Sequence, residues 1–181
     1  MNNKNIAGII FLAFMGSACS FMSVERMIPE KSTITYPVTV ALGKVTGSKK
    51  SMPIRYYLND ELYRETLFQS VKSSGIFRNT KKTGNARFVL NAKTIDQEYF
   101  PGAETFSFIF RIVAKYTLID SQNNKVVYDR TLTAACKKTM SDEFGGPPRV
   151  RKATECAVKQ NMQKLISTLG KNKELRALAG N

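Results

Sequence analysis

The chain has 181 residues, with 28 Lys and Arg against 14 Asp and Glu, for a formal net charge of +14. Hydrophobic residues make up 43% and charged residues 23%, which suits one core-forming domain and excludes a disordered chain. There is no histidine, so Ser-His-Asp and Cys-His nucleophile pairs, His-Glu-x-x-His zinc sites and every imidazole metal site are excluded as well.

Lys4 is followed by an unbroken apolar run at residues 6–15 (IAGIIFLAFM) and then by the small residues Gly16, Ser17 and Ala18. This is the layout of a signal peptide over residues 1–18, and the run is too short to span a bilayer, which takes about 20 apolar residues. A buried N-terminal helix of a cytosolic domain would leave the order of charge, apolar run and small residues unexplained. Gly16-Ser17-Ala18-Cys19 resembles the lipobox of bacterial lipoproteins, with Gly16 where that family usually has Leu. The resemblance implies that Cys19 becomes the acylated N-terminus. In such lipoproteins a Ser at the next position, here Ser20, implies sorting to the outer membrane. Ordinary secretion is the other reading, since Gly16-x-Ala18 also satisfies small-x-small cleavage. Both readings cut behind Ala18, and both export the chain.

Assigning Cys19 to lipid leaves Cys136 and Cys156 of the three cysteines. They form either a bridge or two reduced thiols. A bridge would close a loop of about 20 residues and contribute about 3 kcal/mol by constraining the unfolded chain.

Residues 19–33 are polar, carry Pro29 and show no sustained period, so they read as a lipidated tether, with the α/β domain at 34–170 and a frayed basic tail at 171–181. Ile34, Tyr36, Val38, Val40 and Leu42 alternate as in a strand with one buried face, and Pro37 suggests an edge position. A basic loop follows at 43–53. Asn59 or Asp60 is placed to cap a helix running to about Ser74, with Tyr63, Leu67 and Val71 on one side and Gly75 to end it. Residues 79–85 (NTKKTGN) read as a turn. Phe88, Leu90 and Ala92 begin a second strand, which loses its apolar face at Asp96 and Glu98.

Phe106, Phe108, Phe110, Ile112, Ala114, Tyr116 and Leu118 then alternate with mostly polar residues, the clearest periodicity in the chain. Val126, Tyr128, Leu132 and Ala134 continue that face on a hairpin partner. From Val150, the positions of Ala153, Ala157, Val158, Met162, Leu165 and Leu169 define an amphipathic helix ending near Gly170. The predicted fold is α+β, a two-layer arrangement with a four-stranded sheet in the order β-α-β-β-β-α and both helices on one face. The open face would show Asn91, Lys93, Arg111, Lys115, Thr117, Thr131 and Thr133. Strict alternation puts Cys136 on the core side while Cys156 falls off the apolar stripe of its helix, a tension against their pairing.

Residues 43–49 follow a strand but fail as a phosphate loop, because only three residues separate the glycines and Ser precedes Lys. Asp60/Glu61, Asp96/Glu98 and Asp142/Glu143 read as solvated carboxylates, since an acid/base pair needs one member desolvated. Lys137 and Lys138 could lower a thiol pKa, but no histidine is there to activate it. The protein is therefore expected not to be an enzyme and to need no metal or cofactor. Losing residues 1–18 removes one cation and leaves +13, distributed over loops and tail. That excess favours acidic partners or envelope polyanions, with Lys49, Lys50, Lys93, Arg111 and Lys115 as the candidate ligand or partner surface. A surface charged for solubility is the plainer alternative. Nucleic acid is not expected as a partner, because an exported chain meets little of it and no nucleic-acid fold signature is present.

The segments LFQSVKSSGIFRN (67–79), KYTLIDSQNNKVVYDRTL (115–132) and ATECAVKQNMQKLISTL (153–169) resemble small periplasmic lipoproteins such as the auxiliary lipoproteins of ABC-type transporters. A similar fold is implied for the lipoprotein activators of penicillin-binding proteins and for the amino-terminal domain of the Tol system's propeller protein. The resemblance implies an outer-membrane-anchored periplasmic accessory or adaptor subunit of a transport or secretion assembly. The alternative is direct binding of lipopolysaccharide, peptidoglycan or a lipid through the basic surface. No functional residue transfers from the resemblance, and the oligomeric state is left open.

Overall fold

The structure is a computed structural model, described for residues 22–47, 58–101 and 107–180. Its elements run α1 (Val24–Met27), β1 (Tyr36–Thr46), α2 (Asp60–Ser74), β2 (Phe77–Lys81), β3 (Phe88–Pro101), β4 (Phe108–Asp120), β5 (Lys125–Lys138), α3 (Gly146–Gly170) and α4 (Lys173–Ala179). The strands form a single five-stranded sheet, β2-β1-β3-β4-β5. The α+β class and two-layer form stand as predicted, but the sheet has a fifth strand. It is β2, parallel to β1, in the stretch expected to turn. That strand buries only Phe77, so it has no alternation to display.

β1 is not an edge strand. It lies between β2 and β3 and is parallel to both. Pro37 is tolerated because the register against β2 shifts between Tyr36 and Thr39 and pairing with β3 begins only at Val40.

Asn59 caps α2, its side chain accepting from the Leu62 N–H at 2.7 Å, and Gly75 ends it with a left-handed φ of 68°. In β3 the inward positions are Phe88, Leu90, Ala92 and Thr94. The register against β4 then shifts between Thr94 and Asp96, and Gln97 turns inward with Tyr99 beside the core. Asp96 and Glu98 are thus an outward pair on a strand whose parity has changed, not the end of its apolar face. A second shift, between Leu118 and Ile119, leaves Val126 47% exposed and buries Val127 and Tyr128.

Helices α2 and α3 cover one face. Tyr63, Leu67 and Val71 from α2 and Val158, Met162 and Leu165 from α3 join Phe110, Ile112, Tyr116 and Leu118 of β4 in one core. α3 and the residue that caps α4 are tied to β5, where Asn161, Lys164 and Asn172 donate to the carbonyls of Leu132, Thr133 and Val127 at 3.0, 2.7 and 3.0 Å.

Two terminal expectations change. From Met22 on, the segment read as a tether packs on the helices, with Met27 fully buried, the Ser23 N–H donating to Glu155 and the Glu30 N–H to Gln163. The tail is likewise not frayed, since Asn172 caps α4 and Leu175 is fully buried. In both segments a few spaced apolar residues suffice to dock a short helix. Cys19 and the signal segment lie outside the described residues.

Candidate functional site

Of the predicted surface residues, Lys49 and Lys50 lie outside the described residues, and the structure separates the other three. Arg111 pairs with Asp96 at 3.3 Å and with Glu98, and its guanidinium lies 5.6 Å from the Phe100 ring centre. Its charge is thus spent within the sheet. Lys93 and Lys115 stand directly opposite each other on β3 and β4. Like charges in that relation repel, and Asp129 on β5 relieves the pair by bridging Lys115 at 3.0 Å.

Sequence reasoning missed Lys44 as a member of this group. Between Leu42 and Val45 the register against β3 shifts, so that Gly43 and Lys44 together stand opposite Asn91. The Asn91 side chain accepts the Lys44 N–H at 2.7 Å. A Cβ at Gly43 would lie 2.2 Å from that same Asn91 oxygen, which is why the position takes glycine. The result is a shallow depression of about 400 Å³ on the open face, lined by Lys44, Lys93, Lys115, Thr46, Thr117 and Asn91. No carboxylate lies within ion-pair distance of Lys44 or Lys93 among the described residues. Two ammonium groups without a carboxylate partner, with Lys115 shared with Asp129 and two hydroxyls beside them, suit an anionic ligand held by charge and hydroxyl hydrogen bonds. A shift of register has no signature in hydrophobic periodicity, so Lys44 carried no warning of its place.

Of the carboxylates considered for acid/base work, Asp142 and Glu143 are held as anions. Asp142 accepts from the Thr139 N–H at 2.8 Å, the Lys138 ammonium at 3.1 Å and the Thr139 hydroxyl at 2.9 Å, and these bring its pKa down to about 2. The Lys152 ammonium, 2.6 Å away, holds Glu143 below the usual carboxylate range. Neither has a proton to give at neutral pH. Burial pushes the phenols of Tyr63 and Tyr116 up. The two bond each other, and Tyr116 also donates to Asn161 Oδ1 at 2.5 Å, so the group is a buried clasp between α2, β4 and α3. Among the described residues no three potential metal ligands cluster, and no helix is long and apolar enough to cross a membrane.

Cys136 on β5 and Cys156 on α3 are joined by a disulfide with Cα atoms 5.8 Å apart. The geometric tension disappears because α3 lies over β4 and β5, and the flank of α3 that carries Cys156 faces the end of β5. Close by, Glu155 is buried yet accepts the Ser23 N–H at 2.9 Å and faces Arg26 at 3.6 Å. Arg149 is buried too, donating to the carbonyls of Glu143 and Phe144 at 2.9 and 2.8 Å.

No protein-family model matches the chain, and no curated protein matches it in sequence. Solved structures share its fold. A Xanthomonas campestris protein of the family DUF330 superposes with a TM-score of 0.62 at 11% identity, over 83% of this chain and 94% of that one. A protein of Chlamydia trachomatis gives 0.56 at 12% identity, over 75% of this chain and 97% of that one. The PelC protein of Paraburkholderia phytofirmans, a dodecamer, gives 0.51 at 16% identity over 78% and 93%. The chain therefore has the fold of these small bacterial proteins along nearly their whole length.

Proposed function

We propose that the protein is a non-enzymatic lipoprotein of the bacterial envelope. Acyl chains on Cys19 hold it in the outer membrane on the periplasmic side, and its head acts as an accessory or adaptor subunit of a transport or secretion assembly. The observation that carries this reading is the short distance between the modification point and the packed chain. Cys19 follows a complete signal layout, and Met22, three residues on, already packs against the core. Three residues reach at most about 10 Å. A head held that close meets partners embedded in or lying on the same membrane, which suits an adaptor. The shared fold with small bacterial proteins, one of them the dodecameric PelC, supports the same reading.

The test is the mass of the full-length product expressed in a Gram-negative host, followed by in-cell cross-linking and affinity purification. Cleavage behind Ala18, an acylated Cys19 and a cross-linked envelope protein are expected. An uncleaved amino terminus in the cytosolic fraction, or no envelope protein after cross-linking, would overturn the proposal. The depression at Lys44, Lys93 and Lys115 favours a second reading, direct binding of an envelope polyanion such as lipopolysaccharide. Binding that weakens with salt and is lost in Lys93→Glu supports it, and no binding at low ionic strength removes it.

A further inference from the structure

Three of the exposed large apolar residues, Phe100, Met140 and Phe144, gather at one end of the molecule. The register places them there. Pro101, the last residue of β3, pairs with Phe108, the first of β4, and Phe108 pairs in turn with Lys138, the last of β5. Residues 139–145 leave from that point and lead into α3. Phe144 on this loop is 82% exposed, more than any other large apolar side chain described. The loop is nevertheless built to hold it there. Asp142 is fastened to Thr139 and Lys138, Glu143 to Lys152, and the carbonyl of Phe144 itself to Arg149. An aromatic ring presented to solvent on a cross-braced loop is prepared for a surface, because its ordering cost is already met.

The flank beside this loop is cationic. A groove of about 640 Å³ is lined by Arg26, Lys138, Arg151, Lys152 and Lys159 against the carboxylates of Glu143 and Glu155. Lys159 has no carboxylate partner among the described residues. The described chain also begins on this flank, where the Ser23 N–H meets Glu155. Cys19 is four residues from Ser23, a reach of roughly 14 Å at most.

We propose that this end of the molecule is a membrane-docking face, with Phe144 inserted at the acyl boundary, Met140 and Phe100 beside it, and the cations of the α3 flank on the phosphates of anionic phospholipids. Charge complementarity and the nearness of the anchoring residue select a bilayer as the occupant, since a basic rim around an exposed aromatic residue matches its two layers, phosphate and hydrocarbon. The inference rests on the lipoprotein reading for the source of the membrane, but its test does not.

The full chain carries Cys19→Ser, so that no acyl group forms, and Phe144→Cys labelled with an environment-sensitive fluorophore; a second sample carries the label at Gln122→Cys, in the β4–β5 turn at the opposite end. Both are mixed with vesicles of phosphatidylglycerol or of phosphatidylcholine. The label at position 144 is expected to shift to the blue on phosphatidylglycerol, to revert at high salt and to stay silent on phosphatidylcholine, while the label at 122 does not respond. Unlabelled Phe144→Ser and Lys159→Glu proteins each lose about tenfold in vesicle partitioning, with the disulfide and circular dichroism unchanged. No response at 144 on phosphatidylglycerol overturns the proposal and leaves the face to a protein partner. Equal responses at 144 and 122 overturn it too, because residues 1–18 would then be doing the binding. An unmodified Cys19 in the wild-type mass spectrum would defeat the lipoprotein reading alone.

Discussion

Asn161 ties three elements together, and its replacement by alanine has a calculable cost. The side chain is fully buried, accepts from Tyr116 Oη at 2.5 Å and donates to the Leu132 carbonyl at 3.0 Å. Alanine deletes both bonds. Tyr116 keeps Tyr63 as a partner, whereas the Leu132 carbonyl loses its side-chain donor. One lost bond of about 1 kcal/mol and one under-satisfied, half-buried acceptor at about 1–3 kcal/mol sum to roughly 2–4 kcal/mol. For a domain of this size that lowers Tm by about 5–15 °C. Urea unfolding with the disulfide closed should give a lower midpoint with an unchanged slope. Combining Asn161→Ala with Tyr116→Phe should yield a coupling energy of about 1 kcal/mol or more, because the two share a bond. A loss under about 0.5 kcal/mol for the single variant, or additivity within that margin, would refute the description of the clasp.

Replacing both Cys136 and Cys156 with serine releases a crosslink spanning 20 residues and should destabilise the protein by about 3 kcal/mol, measured against the oxidised wild type in the same urea series. Asp142 is held at about 2 against an ordinary 3.8, so its support of the 139–145 loop is complete above about pH 4 and is lost as the pH falls towards 2. The Thr139 amide resonance should report that transition in wild type and not in Asp142→Asn. Gly43→Ala forces a Cβ against the Asn91 oxygen and Val89, which should cost about 1–3 kcal/mol and release the Lys44 amide to faster hydrogen exchange.

Periodicity made the two long helices and the four long strands legible, because Tyr63-Leu67-Val71 and Phe108 to Leu118 each express one face buried and one wet. It was blind to elements whose stability comes from neighbours. β2 buries one side chain and exists because β1 supplies its hydrogen bonds, and α1 and α4 each dock through one fully buried residue, Met27 and Leu175. It was equally blind to register. The shifts at Leu42/Val45, Thr94/Asp96 and Leu118/Ile119 change which residues face which way. The first of these brings Lys44 beside Lys93 and Lys115, while Arg111 is withdrawn by carboxylates on the neighbouring strand. Charge counting placed Lys93, Arg111 and Lys115 on the open face of the sheet but did not show that Arg111 and Lys115 are ion-paired there. Phe144 is a single apolar residue in a loop, and only its bracing and exposure distinguish it.

The central placement of β1 has a consequence for the order in which the chain can fold. β1 is complete at Thr46, yet its partners are β2, beginning at Phe77, and β3, which ends at Pro101, and α3 does not begin until Gly146. A polypeptide delivered amino end first has no stable intermediate to rest in until most of its length has emerged, since every early strand waits for a later one. Threaded through a translocation pore, such a chain would stay unfolded on the near side and close abruptly on the far side once the final helix arrives.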